Sequence, residues 1–111
     1  MANTAPFRVE WAPPARADAE AIVEYIARNN PSAAASVLRR IDRAAASVSI
    51  MPLRGRVVPE LAAVAIRNYR ELILPPWRIV YRIDGDIVRI VAVVDGRRSL
   101  ADLLLERIMR L

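Results

Sequence analysis

The sequence predicts an α+β domain: an N-terminal strand and helical hairpin packed on a small antiparallel sheet, with a C-terminal helix. Three observations carry this. Helical spacing of apolar residues fills the first half of the chain. Two-residue alternation takes over from about Ala65. Turn dipeptides then fall at hairpin spacing, as Pro75-Pro76, Asp84-Gly85 and Asp95-Gly96. Helices clustered before a meander place helices on one face of an antiparallel sheet.

Each element has a local cause. Phe7, Val9 and Trp11 alternate with Arg8 and Glu10, which suits a short half-buried strand. Pro13 and Pro14 end it and suit the first turn of a helix. Ala19, Ile22, Val23 and Ile26 then predict a helix over Ala15 to Arg28, broken by Asn29-Asn30-Pro31. Ser32 is the expected cap of a second helix running to about Ile50. Its apolar stripe is Ala34, Val37, Leu38, Ile41, Ala45 and Val48, with Arg39, Arg40 and Arg43 off the stripe. Pro52 to Pro59 (PLRGRVVP) reads as a loop. Strands follow at Ile66 to Leu74, Trp77 to Ile83 and Ile87 to Val94, the last two joined by a type I′ turn at Asp84-Gly85. Ser99 can cap a last helix carrying Leu100, Leu103, Leu104 and Ile108. The expected order is β-α-α-β-β-β-α, with the first strand returning to the sheet.

Composition bounds the function. The chain has 111 residues, enough for one core and one domain spanning 1–111, and 55% of them are hydrophobic. Net charge is +5, and all seventeen basic residues are arginine. Genomic base composition is the bland explanation of the missing lysines. Arginine nonetheless forks onto carboxylates and phosphates, so an acidic protein or a nucleic acid is the expected partner class. With no cysteine there is neither disulfide nor thiol nucleophile. With no histidine, a serine triad and the commonest metal ligand are both excluded, and no cofactor or metal is expected. The N-terminus lacks the pattern of a signal peptide, and no apolar run is long enough to span a bilayer. A cytoplasmic protein without membrane association is the expectation.

The stretch WRIVYRIDGDIVRIVAVVDGRRSL concentrates arginine on the last hairpin. A two-residue turn at Asp84-Gly85 sets Arg82 opposite Ile87, Val80 opposite Arg89 and Arg78 opposite Val91. Trp77, Ile79, Tyr81, Val88, Ile90 and Ala92 then share the core face. Arg78, Arg82 and Arg89 share the other with Val80, Ile87 and Val91. Arg97 and Arg98 can extend this cationic face, and Arg70 lies in the neighbouring strand. Such a patch suits phosphates or an acidic peptide. The bland alternative is the solvated side of a one-sided sheet. Standing off the core, Arg78 and Arg98 are expected to tolerate replacement by alanine without loss of the fold. Asp18, Glu20 and Glu24 read as a solvated helix face. Trp11, Tyr25 and Trp77 read as core, whereas Tyr69 and Tyr81 lie where arginines can lower a phenol's pKa.

Four segments together resemble the RelE/ParE superfamily of bacterial type II toxins, closer to its ParE-like members: VEWAPPARADAEAIVEYI, PLRGRVVPEL, NYRELIL and WRIVYRIDGDIVRIVAVVDGRRSL. The resemblance covers nearly the whole chain. It implies a growth-inhibiting toxin, neutralised in a hetero-oligomer by a cognate antitoxin that wraps a disordered segment over it. Two targets are open. RelE-like members cleave mRNA in the ribosomal A site, and by resemblance Arg70, Arg78 and Arg98 would contact phosphate. The family's second sheet base falls near Leu72 and its catalytic tyrosine near Leu104, so neither is present. ParE-like members bind and inhibit DNA gyrase and need no nuclease set. On either target the binding surface would include Arg70, Arg78, Arg82, Arg89, Arg97 and Arg98. A third possibility is a non-toxic module that only pairs with an antitoxin.

Overall fold

A computed structural model describes residues 6–97 and 100–110. The elements are β1 (Arg8–Trp11), α1 (Pro13–Ala27), α2 (Pro31–Ser47), β2 (Arg56–Val57), α3 (Pro59–Ala62), β3 (Tyr69–Leu74), β4 (Trp77–Asp84), β5 (Ile87–Asp95) and α4 (Ala101–Arg110). The predicted α+β class is borne out. The predicted order lacks β2 and α3, two short elements bounded by prolines and too brief to show a period. Pro31 opens α2, and the side chain that caps it is Asn30, not Ser32: its Oδ1 accepts from Ala33 N at 3.0 Å. Ala65, at φ 67°, ends the third helix. Ile66 N–H reaches back to Leu61 O at 2.9 Å and Ala65 N–H to Ala62 O at 3.0 Å, a Schellman pattern.

The sheet runs β1-β5-β4-β3-β2. It is mixed, because β1 returns to pair parallel with β5, Arg8 beside Ile87 through Trp11 beside Ile90. Pro75-Pro76, joined by a cis peptide, turns β3 into β4, so that Leu74 faces Trp77. The next turn differs from expectation. Its two central residues are Gly85 and Asp86, with Asp84 paired to Ile87. Gly85 has φ 60°, and no positive φ occurs at Asp86, the signature of type II′ rather than I′. The register therefore slips by two residues, which leaves side chains on their predicted faces. A bulge then inserts Val91 between Tyr81↔Ile90 and Val80↔Ala92, and moves Ala92 to the opposite face from the one predicted.

Both faces of the sheet are buried. Helices α1 and α2 cover one face, where Val37, Ile41 and Val48 meet Leu72, Ile79, Tyr81, Ile90 and Val93. On the other, Val80, Val91, Ala92 and Val94 lie under Leu61, Leu100 and Leu104. The face predicted to be open is thus the floor of a second core. Among the described residues no helix is long and apolar enough to cross a membrane.

Candidate functional site

The arginine face follows from the β4 alternation. Arg78, Val80 and Arg82 point the same way, and Arg82 stands directly across from Arg89. The second core then decides their environment. Arg78 is 8% exposed and Glu71, one strand over, is 1% exposed. Arg78 Nε donates to Glu71 Oε1 at 2.6 Å and Nη2 to Oε2 at 2.9 Å. The far edge of the same guanidinium grips Glu60 of α3, through Nη1 at 2.5 Å and Nη2 at 2.6 Å. Arg56 Nε closes the chain of charges on Glu71 Oε2 at 2.7 Å. This hydrogen bonding from Arg78 holds the Glu60 carboxyl below its ordinary value, against the opposing effect of burial. It raises the Arg78 pKa further still. A guanidinium that uses both edges on carboxylates has none left for a phosphate.

The expected cationic patch is therefore a set of internal ion pairs. Arg82 Nε meets Asp84 at 2.8 Å, and its Nη1 donates to the Tyr69 hydroxyl at 3.1 Å. Arg89 lies 3.3 Å from Glu10 and 3.6 Å from Asp84. Arg97, at the strand's end, is bound by Asp95 at 2.6 Å. Arg70 is on the opposite face, opposite Tyr81, and donates to the Gly55 carbonyl at 2.7 Å. Arg98 lies outside the described residues. Arg82 and Arg89 meet at Asp84, but Arg70 and Arg97 lie apart from them and Arg78 does not stand off the core. The physical reason is that α3 and α4 close over the face and Glu60 and Glu71 enter it.

Other expectations change too. Asp18 is not merely solvated: its carboxylate accepts from Val93 N at 2.9 Å and pairs with Arg107 of α4. It caps β5 beyond the point where β1 stops. Tyr25 is exposed rather than core. Tyr69 and Tyr81 are buried, and desolvation pushes the Tyr81 phenol up, outweighing the arginines nearby. The positions expected of a second sheet base and a catalytic tyrosine, Leu72 and Leu104, belong to the two cores.

Sequence reasoning missed Glu60 and Glu71. A signal existed for Glu71. The tight Pro-Pro turn sets Ile73 beside Arg78 and thereby puts Glu71 one step along on the same face. Beside the ion pairs lies a groove of about 780 Å³ between α1, the end of β5 beyond β1, and α4, lined by Ile22, Tyr25, Trp77, Val93 and Leu103.

Residues 9–100 match the family model described as the ParE toxin of the type II toxin–antitoxin system parDE. Toxin ParE3 of Caulobacter vibrioides is 30% identical over 89 residues, covering 79% of this chain and 85% of that protein. Toxin RelE2 of the same organism is 35% identical over 91 residues, covering 82% and 97%. The fold is shared with the chromosomal ParDE system of P. aeruginosa, with TM-score 0.65 at 20% identity over 80% of this chain and 95% of that one. It is shared also with the RelBE2 toxin–antitoxin complex of Mycobacterium tuberculosis, with TM-score 0.56 at 22% identity over 86% and 97%. A match over most of the chain, to both strands and helices that build the two cores, places the protein: it belongs to the ParE toxin family of type II toxin–antitoxin systems.

Proposed function

We propose that the chain arrests growth by binding DNA gyrase, with no bond-making of its own, and that a cognate antitoxin restrains it in a hetero-oligomer. The observation that carries this is the state of Arg78. A ribonuclease acting through a ribose 2′-hydroxyl needs a free cation on the scissile phosphate and a group that takes a proton. Here the central-strand arginine is locked between Glu60 and Glu71. The Tyr81 hydroxyl is spent on the backbone, donating to Pro52 O and accepting from Gly55 N, each at 2.8 Å. Inhibition by docking asks nothing of either group. The cytoplasm is the compartment in which such a toxin would meet both its target and its antitoxin.

The groove beside β5 is the seat we assign to the antitoxin. It offers apolar side chains on two helices beside the end of β5 that β1 does not reach, where Asp18 caps Val93 N, and this suits a segment that folds as it binds.

Purified toxin added to a gyrase supercoiling assay should block conversion of relaxed plasmid. Full supercoiling at large molar excess of toxin would remove gyrase as the target. Primer extension on translated mRNA tests the ribosomal alternative, for which A-site cuts are required. Induced expression without growth arrest would leave only a module that pairs with an antitoxin.

A further inference from the structure

The largest exposed apolar side chains next to one another in sequence are not in the groove but on the loop after α2. Ile50, Met51 and Leu53 are 77%, 60% and 66% exposed. A loop tip of this kind normally carries small polar residues, since three large apolar side chains in water favour burial. The backbone beneath them is held from several sides. Ser49 is tied to Phe7 by two bonds, Phe7 N to Ser49 O at 2.7 Å and Ser49 Oγ to Phe7 O at 2.6 Å. Met51 O accepts from Arg54 N at 3.0 Å. The Tyr81 hydroxyl, fully buried, bridges Pro52 O and Gly55 N, and Arg70 holds Gly55 O. Gly55 is buried against the sheet where a Cβ would come within 2.6 Å of Glu71 O, so the loop cannot lift away and keep its bonds.

A fixed backbone presenting apolar side chains has already lost the entropy that docking would otherwise cost. Charge indicates what it docks on. Arg54 is exposed and, among the described residues, has no carboxylate partner; Arg56 beside it is 57% exposed and pairs through Nε with Glu71. We propose that Ile50 to Arg56 is a preorganised docking finger, whose apolar tip enters an apolar pocket rimmed by carboxylates on a protein partner. A nucleic acid would use the arginines and leave the three apolar side chains in water. The proposal deepens the gyrase reading, and rests on it for the identity of the partner only.

The test uses full-length Leu53→Ser, Arg54→Glu and Tyr81→Phe chains beside wild type, with gyrase as the probe and thermal melting as the fold control. Leu53→Ser and Arg54→Glu alter exposed atoms and should melt like wild type, yet lose roughly tenfold or more in inhibition of supercoiling. Tyr81→Phe touches no partner and should weaken inhibition only through the loosened loop. Wild-type inhibition retained by both surface variants overturns the finger while leaving gyrase as the target. If wild type itself fails to inhibit gyrase, growth arrest on induced expression decides. Arrest lost in Leu53→Ser upholds the finger against another protein, and arrest retained overturns it. Binding of a short RNA that falls in Arg54→Glu but not in Leu53→Ser overturns the protein partner. A wild-type dimer that dissociates in Leu53→Ser reassigns the finger to a second copy of this chain and overturns it as a target contact.

Discussion

Replacing Arg78 by methionine should cost the protein its stability margin, not merely a charge. Methionine keeps the aliphatic stem, which packs near Gly96, and removes only the guanidinium. The buried Glu71 carboxylate would then keep a single partner, Arg56, whose own side chain is 57% exposed. Breaking a buried pair by removing one member costs about 3–5 kcal/mol, because the other charge is left desolvated. For 111 residues, an unfolding entropy of roughly 2.1 cal/mol/K per residue makes each kilocalorie worth about 4 °C. The melting temperature should therefore fall by about 12–20 °C, as read by circular dichroism. The double variant Arg78→Met/Glu71→Gln should melt above the single variant, since the stranded charge is gone. A single variant melting within about 3 °C of wild type, or a double variant below the single, would refute the structural role argued for this pair. Loss of toxicity in such a variant would say nothing about target contact unless its fold were checked.

Other outcomes follow from the same geometry. Gly55→Ala should destabilise by about 1–3 kcal/mol in urea unfolding, because its Cβ meets Glu71 O at 2.6 Å and the Tyr81 hydroxyl at 2.7 Å. Ala65→Gly should stabilise by about 0.5–1 kcal/mol in the same assay, since Ala65 holds a left-handed conformation that costs a Cβ. Glu60 is held below its ordinary 4.5 by Arg78, so its contribution to stability is complete above that pH and is lost as pH falls through the lowered value. Urea midpoints should drop on acidification below about pH 4.5, and less steeply in Glu60→Gln. Tyr81 is raised above its ordinary 10 by burial, so stability should fall as alkali carries the pH upward past 10, and Tyr81→Phe should remove that part of the loss.

Much of the fold was legible from periodicity and punctuation. Proline at the first turn marked α1, the Asn-Asn-Pro break separated it from α2, and the hairpin dipeptides located β3, β4 and β5 within a few residues. What escaped was the number of layers. The alternation Arg78, Val80, Arg82 reads equally as a solvated face or as one that meets helices and internal acids. Only the second layer distinguishes them, and its main contributors, Leu61 of a four-residue helix and Leu104 of α4, have no local mark that points to the sheet. The bulge at Val91 is likewise invisible in the pattern, although it decides where Ala92 faces.

The candidate site failed to emerge from sequence for a related reason. Arginine's fork suits a phosphate and a carboxylate alike, so residue type could not say which partner a given guanidinium has. The arginines of the hairpin differ in this from others on the surface. Arg78, Arg82, Arg89 and Arg97 are held by acids of their own chain. Arg39, Arg40, Arg43, Arg54 and Arg67 are exposed and, among the described residues, have no carboxylate in reach. Arg16 and Arg28 of the first helical segment are likewise exposed without an ion pair, so the uncompensated arginines among the described residues lie on the helices and loops rather than on the hairpin that carries the family's most recognisable stretch. That hairpin is recognisable because its turns, core residues and internal ion pairs maintain a fold, which many targets can share. Under the docking proposal, selectivity would reside where neither core packing nor pairing constrains the side chain, and the exposed apolar tip beside Arg54 meets both conditions.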